Sequence, residues 1–225
     1  MVTRRSLVPL TLALLAACSD NTGPQTPTGG ATPHLLRWAG GSAPSFSWSG
    51  GPETGLGGSA GVGVFRSSSG LSLDGNQAQF WAVRGEERSV QINYVGATGE
   101  TGAPFLHLSV TDPVYVPGRG DLAPGDSVLI TVTVDPENVK VSLEPTGLRF
   151  GEAATLLIGY EGADGDLNGD GVVDASDAAI ESQLLGMWCR EAAGDPWVAI
   201  AAVHSLTQRS FTSALAHFSD YAVSW

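Results

Sequence analysis

Apolar and polar residues alternate along most of the chain after residue 76, and this period of two predicts β-strands. Successive side chains of a strand point to opposite faces, so each predicted strand has one apolar face and one polar face. Segments rich in Gly, Pro and Asp, such as 123–126 and 194–196, predict turns between the strands. The predicted strands cover residues 89–94, 106–110, 127–134, 139–144, 156–160, 197–203 and 211–218.

Seven to nine short strands with half-buried faces predict an all-β fold, an antiparallel β-sandwich over residues 76–225. Four segments follow one another in a characteristic order: Pro104–Leu108, Gly125–Val128, Leu143–Phe150 and His217–Val223. In this order they resemble the sandwich domain of ankyrins, zonula occludens scaffolds and netrin receptors. The resemblance implies a non-catalytic interaction domain, and it transfers no functional residues.

The N-terminal part of the chain has a different composition. Residues 18–75 are rich in Gly, Ser, Pro and Thr, which predicts a flexible tether on which Trp38, Phe46 and Trp48 dock locally at most. Before the tether, Arg4 and Arg5 precede an apolar run that is shorter than the about 20 residues needed to cross a bilayer. We therefore predict a signal peptide over residues 1–17.

The signal peptide ends in Leu15-Ala16-Ala17-Cys18, which resembles the bacterial lipobox. The resemblance implies that Cys18 is diacylated and anchors the protein in a membrane, whereas an ordinary cleaved signal peptide is the alternative. The residue after the cysteine is Ser19 rather than Asp, which implies sorting to the outer membrane. The predicted location is the bacterial cell envelope, on the periplasmic or the surface side of the outer membrane.

The charge balance limits the partners of the protein. Charged residues make up only 15% of the chain, but the formal net charge is -12. Nucleic acids and anionic membranes are bound through clustered Lys and Arg, so this balance argues against both as electrostatic partners. It suits an extracytoplasmic protein that binds cations. The second cysteine, Cys189, lies in the apolar run 187–189, which predicts a half-buried strand residue rather than a nucleophile.

Candidate chemistry is concentrated where the alternation stops, in the insertion 164–186. Residues 166–177 read DLNGDGVVDASD, with an oxygen-bearing side chain at every second position at the start. Calcium takes six to eight hard oxygen ligands, and an EF-hand loop supplies them from positions one, three, five, seven, nine and twelve. The candidate ligands are Asp166, Asn168, Asp170, the backbone carbonyl of Val172, Asp174 and Asp177.

The register of this EF-hand-like loop follows from two further positions. Gly171 occupies the sixth position, where the chain must turn sharply, and Val173 is the expected apolar anchor under the loop. A register that begins at Asp164 would place glycine at the anchor and Ala175 at the closing ligand, so it is rejected. A helix is predicted over residues 178–185, with Ile180 and Leu184 on one face and Gly186 as its C-terminal cap.

The loop and helix resemble the repeat of dockerins, which are calcium modules that bind cohesins. The resemblance rests on Asp166, Asn168, Asp170, Asp174 and Asp177, and on the helix that follows. It implies a bound Ca²⁺ with a structural role. Dockerins carry two repeats packed on each other, whereas this chain has one, so cohesin binding is not carried over.

The predicted function is that of a non-enzymatic, calcium-binding, lipid-anchored envelope protein that serves attachment or protein interaction. Its partners would be the membrane, through the anchor, and an envelope protein or polysaccharide. The alternative is a carbohydrate-binding module with Trp81, Trp188 and Trp197 as an aromatic platform. A hydrolase is disfavoured, because Asp220 of the His217, Ser219 and Asp220 group should point away from the other two.

Overall fold

The computed structural model describes residues 32–52, 71–73 and 76–225. The predicted signal peptide, Cys18 and the tether residues 18–31 and 53–70 lie outside these ranges. The described residues form the strands β1 (Phe46–Pro52), β2 (Leu71–Ser72), β3 (Gln77–Val83), β4 (Arg88–Val95), β5 (Thr101–Val110), β6 (Pro113–Val116), β7 (Gly120–Asp121), β8 (Ser127–Val134), β9 (Lys140–Glu144), β10 (Arg149–Gly159), β11 (Gly186–Arg190), β12 (Val198–Ile200), β13 (Val203–Ser205), β14 (Ser210–His217) and β15 (Asp220–Ser224). They also form a 3-10 turn (Ala39–Gly41) and one helix, α1 (Ala175–Gln183).

The strands form two antiparallel sheets that pack face to face, so the predicted all-β sandwich is confirmed. The first sheet has nine strands: seven lie in the order β13-β14-β10-β5-β4-β1-β2, β6 also pairs with β10, and β7 pairs with β6. The second sheet has six strands in the order β12-β11-β15-β9-β8-β3. The described chain thus carries more strands than the seven to nine that alternation alone predicts.

The core lies between the inner faces of the two sheets, where the alternating apolar side chains meet. On the paired strands β3 and β8, Phe80 lies opposite Ile130 and Ala78 lies opposite Val132, and all four are buried. The residues between them point outward, as Gln79 and Thr131 do. The period of two in the sequence therefore corresponds directly to burial in these strands.

The expected start of the domain at residue 76 is wrong, because residues 34–52 are part of the sandwich. Strand β1 pairs with β4 along its whole length, from Phe46 opposite Tyr94 to Pro52 opposite Arg88. Trp38 is completely buried, and its ring packs against the rings of Phe46 and Phe105. A few aromatic residues thus anchor a segment whose Gly- and Ser-rich composition predicted a tether.

The single strand predicted over residues 197–203 is two strands in different sheets. β12 pairs with β11 in the six-stranded sheet, and β13 pairs with β14 in the nine-stranded sheet. The chain passes from one sheet to the other at residues 201–202. None of the helices in the described residues is long and apolar enough to span a membrane.

Candidate metal centre

The predicted calcium loop lies in the connection between the two sheets. Strand β10 belongs to the nine-stranded sheet and β11 to the six-stranded sheet, and the chain between them forms the loop and helix α1. Two contacts fix the start of this connection on the domain: Ala163 forms a β-bridge with Trp38, and the amide of Asp164 donates to the carbonyl of Arg37. The candidate site therefore lies at the edge of the sandwich and not inside it.

The first half of the loop wraps around the carboxylate of Asp166. Its Oδ1 accepts hydrogen bonds from the amides of Gly169 and Asp170 at 2.8 and 3.1 Å, and its Oδ2 accepts one from Gly171 at 2.7 Å. Gly171 has a φ of 88°, in the left-handed region that glycine tolerates best. The predicted register, with Asp166 first and the turn at Gly171, matches this conformation.

Asp177 closes the loop from the other end. Its Oδ1 accepts from the amides of Leu167 and Asn168 at 2.7 and 3.1 Å, and its Oδ2 accepts from the amide of Asp174 at 2.8 Å. The amide of Asp174 is the main reason that the pKa of Asp177 lies below its ordinary value. Asp177 is buried, and its carboxylate at position twelve holds the backbone of positions two, three and nine together.

The three remaining side-chain candidates are exposed. Asn168 donates from its amide to Asp170 at 3.1 Å and to the hydroxyl of Ser176 at 2.9 Å. Asp174 is the N-cap of α1, and its Oδ1 accepts from the amide and the hydroxyl of Ser176 at 2.7 and 2.6 Å. These bonds to Ser176 hold the pKa of Asp174 below its usual range. One oxygen of Asp174 is thus committed to the helix.

The prediction of Val173 as the apolar anchor is wrong. Its side chain is 68% exposed, and Leu167 at the second position packs on the sandwich core instead. The carbonyl of Leu167 accepts a hydrogen bond from the indole of Trp225 at 3.2 Å, and this contact turns the second position inward. The anchor of the loop is therefore selected by a tertiary contact with the last aromatic residue, not by the pattern of the loop itself.

The exit helix also differs from its prediction. It spans Ala175–Gln183, and Gly186 is the first residue of β11 rather than a helix cap. Ile180 is buried as predicted, but Leu184 is 57% exposed, and Leu185 is the residue that packs on the core. The helix ends two residues earlier than predicted, because the chain must extend into β11 directly after it.

A cluster of side chains that lie far apart along the chain fastens α1 to the sandwich. Arg209 donates from Nε to Glu181 on the helix at 2.8 Å, and its guanidinium lies over the ring of Tyr160. The hydroxyl of Tyr160 shares a hydrogen bond of 2.7 Å with Nε2 of His204, whose ring stacks on Phe211. Burial raises the pKa of Tyr160 to about 12 and lowers the pKa of His204.

The electrostatics of the loop are dominated by its carboxylates. The ion pairs that the described residues form all lie elsewhere, so no described Lys or Arg neutralises Asp166, Asp170, Asp174 or Asp177. Across the described ranges, no three Asp, Glu, His or Cys side chains converge closely enough to hold a metal ion. The carboxylates of Asp166 and Asp177 accept hydrogen bonds from backbone amides of the loop. The predicted oxygen ligands all lie within residues 166–177.

The three tryptophans considered for a carbohydrate platform are not brought together. Trp81 is 41% exposed on the edge strand β3, whereas Trp188 is buried on β11. Trp197 precedes β12 at the opposite edge of the same sheet, where Arg190 covers its ring. A common platform of these rings does not form.

Of the disfavoured group of His217, Ser219 and Asp220, Asp220 lies apart as predicted. Asp220 pairs with Arg190 at 2.6 Å and accepts from Ser142, so it points away from His217. Ser219 instead donates to Glu191 at 3.1 Å and lies 3.4 Å from Nδ1 of His217, but it is only 1% exposed. Its hydroxyl is closed to any substrate in solution.

Cys189 lies on β11 and is buried, so the prediction of a strand cysteine is confirmed. Its thiol lies 3.8 Å from a carboxylate oxygen of Glu191, and burial raises its pKa. A protonated thiol is a weak nucleophile.

The fold and the site together define the protein as an all-β sandwich whose two sheets are connected by an acidic loop and a short helix. A scan against protein-family models finds no match, and no curated protein and no solved structure matches the chain. The resemblances to the lipobox, to the dockerin repeat and to the sandwich of ankyrins therefore stay predictions.

Proposed function

We propose that the protein is a calcium-binding, lipid-anchored protein of the bacterial envelope, and that its sandwich serves attachment or protein interaction without catalysis. The observation that carries the proposal is the wrap of residues 169–171 around Asp166, closed by Asp177. This wrap presents four carboxylates that no described basic side chain neutralises. Uncompensated carboxylates repel one another, and a bound cation removes this repulsion.

The chemistry of the donors favours calcium among the common metal ions. Asp166, Asn168, Asp170, Asp177 and the carbonyl of Val172 offer only oxygen, which hard cations prefer. Asp174 adds an oxygen directly or through water. When bound, Ca²⁺ would supply charge neutralisation and would join the turn to the first residues of α1. Its role is then structural, since it orders the connection between the two sheets.

The test is calorimetric titration of the chain with calcium. We expect a dissociation constant between roughly 10⁻⁴ and 10⁻³ M, as for extracellular calcium modules. Asp170→Ala should abolish the heat of binding, because an exposed ligand is removed without disturbing the core. Asp164→Asn is the matched control: it removes an acidic charge at the residue that starts the rejected register, keeps the oxygen that accepts from the amide of Asp166, and should leave binding in place.

Two results would decide against the proposal. The first is a wild-type chain that gives no heat with calcium. The second is an Asp170→Ala chain that binds as tightly as the wild type, since the loop would then not be the site. A further readout is amide hydrogen exchange, which calcium should slow in residues 166–183 and leave unchanged in the sheets.

A further inference from the structure

Strand β3 ends the six-stranded sheet, so it has a strand partner on one side only. β8 pairs with all seven of its residues, from Gln77 opposite Thr133 to Val83 opposite Ser127. Within the described ranges, no strand pairs with its other side. β3 is therefore an edge strand that presents a row of main-chain N–H and C=O groups along its outer side.

The hydrogen-bond pattern shows which residues of β3 present these groups. Arg84, which directly follows the strand, donates from its amide to the carbonyl of Asp126 on the side of β8. In an antiparallel pair every second residue is hydrogen-bonded to the partner strand, so the even-numbered residues of β3 are bonded to β8. The outward main-chain groups belong to the odd-numbered residues: Gln77, Gln79, Trp81 and Val83. One of these groups has a partner in the described chain, because the carbonyl of Val83 accepts from the amide of Glu86.

β3 differs from the other strands that end the two sheets. β2 has two residues, and β12 and β13 have three each, so those edges present few main-chain groups. Proteins also protect edge strands with charged residues, proline or β-bulges. β3 has seven residues without a charge or a proline, and its pairing with β8 has no register shift. Of the described edges, this one is best suited to accept a further strand.

The outer face beside this edge is neutral. Gln79 donates from its side-chain amide to the hydroxyl of Thr131 at 3.3 Å. Trp81 lies opposite Leu129, and these two side chains are 41% and 39% exposed. No residue of β3 or β8 is charged, although the chain has a net charge of -12.

These features favour a second copy of the chain as the partner at this edge. A basic partner would meet no carboxylate on β3 or β8, and an acidic partner would meet no Lys or Arg. Two copies that each carry a net charge of -12 repel one another, so they approach most easily where neither surface is charged. Two identical edge strands are also self-complementary when they pair antiparallel about a two-fold axis.

We propose that two copies of the protein associate through β3, which pairs antiparallel with β3 of the second copy and joins the two six-stranded sheets. Full overlap of the strands places Gln79 of one copy opposite Trp81 of the other. In this register the outward main-chain groups of one strand meet those of the other. A contact of one short strand per copy falls below the about 1,200 Å² of a stable interface, so the dimer is weak and reversible. The inference goes beyond the proposed function and depends neither on calcium nor on the lipid anchor.

The experiment uses residues 18–225 with Cys18→Ser, so that neither an acyl group nor the thiol of residue 18 contributes to association. Sedimentation velocity at protein concentrations from about 10⁻⁶ to 10⁻³ M should show a monomer that converts into a dimer. A chain that stays monomeric over this range overturns the proposal.

Residue-resolved amide hydrogen exchange locates the contact. In the monomer the amides of Ala78, Phe80 and Ala82 should be protected by β8, whereas those of Gln79 and Trp81 should exchange rapidly. Exchange at Gln79 and Trp81 should slow as the protein concentration rises. Protection that is the same at every concentration assigns the edge to a strand of the same chain and overturns the proposal. A dimer that leaves both amides unprotected uses another surface and also overturns it.

Gln79→Pro removes an outward amide without removing a hydrogen bond to β8, since proline is tolerated where the N–H of an edge strand faces away from the sheet. It should weaken the dimer about tenfold or more, because each copy loses a main-chain donor. Gln79→Ala is the matched control: it removes the same side chain, keeps the amide, and should associate like the unsubstituted chain. Equal losses in the two variants would speak for a side-chain contact and against strand pairing.

A second pair of variants covers the case in which Gln79→Pro does not fold. Trp81→Glu places a charge on the neutral edge at an exposed position, and it should weaken the dimer about tenfold. Val203→Glu adds the same charge to β13, where Val203 is 74% exposed at one end of the other sheet, and it should leave association unchanged. Equal association of these two variants overturns the proposal. Calcium calorimetry on the same samples keeps the two proposals apart: a monomeric chain that binds calcium overturns the dimer alone, and a dimer that binds no calcium overturns the proposed function alone.

Discussion

Trp38 offers the most direct test of the domain boundary, because it lies in the segment whose composition predicted a tether. Its indole ring is completely buried against Phe46 and Phe105, and its Nε1 donates to the carbonyl of Asp135 at 2.8 Å. If residues 34–52 belong to the sandwich, Trp38→Ala should destabilise the whole domain. If they only rest on its surface, the same substitution should have little effect.

The expected loss of stability follows from these contacts. Truncation of a buried Trp to Ala costs about 3–5 kcal/mol in lost apolar burial and cavity formation. The unpaired carbonyl of Asp135 adds about 1 kcal/mol, so we expect a total of about 4–6 kcal/mol. This is a large share of the free energy of unfolding of a typical domain, which is about 5–15 kcal/mol. Trp38→Phe keeps most of the ring and should cost about 1–2 kcal/mol.

Urea denaturation followed by circular dichroism measures the effect. With a slope of about 2 kcal/mol per molar urea, the midpoint of the Trp38→Ala variant should fall by about 2 M or more. Trp81→Ala is the matched control, because Trp81 is 41% exposed and its loss should cost less than about 1 kcal/mol. Equal midpoints for the Trp38 and Trp81 variants would refute the inclusion of this segment in the core. The Trp38→Phe variant provides the comparison if Trp38→Ala does not fold.

Three further predictions concern charged and titratable groups. Burial alone would raise the pKa of Asp135. The ammonium of Lys140, whose Nζ lies 2.7 Å from Oδ2, and the nearby backbone amides have the opposite and larger effect, so the net pKa is lowered. Asp135 then stabilises the fold at neutral pH, and this contribution is lost as the pH falls through its folded pKa. Urea midpoints of Asp135→Asn should thus vary less with acid pH than those of the wild type, and an unchanged dependence would contradict this. Burial lowers the pKa of His204, so stability should begin to fall as the pH drops below about 6.5, because the unfolded chain takes up the proton first. Proton NMR titration of the ring checks the pKa directly, and a value at or above that of a free histidine would refute it. Glu181→Gln breaks the partly exposed pair with Arg209, which is worth about 0.5 kcal/mol. Amide exchange in α1 should accelerate about twofold, while protection in the sheets should stay the same.

The period of two predicted most of the fold because both sheets bury one face. Strands such as β8, which alternates from Val128 to Val134, are visible wherever one side of a strand faces water. β1 could not be predicted for a physical reason: the alternation of Phe46 and Trp48 with serine lasts only four residues before glycine and proline follow. Its position depends on the packing of the rings of Trp38 and Phe46. The change of sheet at residues 201–202 leaves no trace in the alternation, since both strands expose a similar face.

The register of the candidate loop was predictable from the sequence, but its attachment to the sandwich was not. The spacing of Asp166 and Gly171 defines the turn locally, so its register could be derived from the sequence. The residue that anchors the loop could not, because Leu167 faces inward through a bond to Trp225, which is far away along the chain. The pair of Glu181 with Arg209 is equally remote in sequence. Contacts of this kind follow from the tertiary fold and not from a local pattern.

β15 joins the two halves of the six-stranded sheet. It lies between β11 and β9, and without it the sheet separates into a two-stranded and a three-stranded fragment. Neither fragment can close over the apolar face of the other sheet, so cooperative folding requires residues 220–224. The strand that completes the sheet thus makes the stability of segments far apart in the sequence depend on one another.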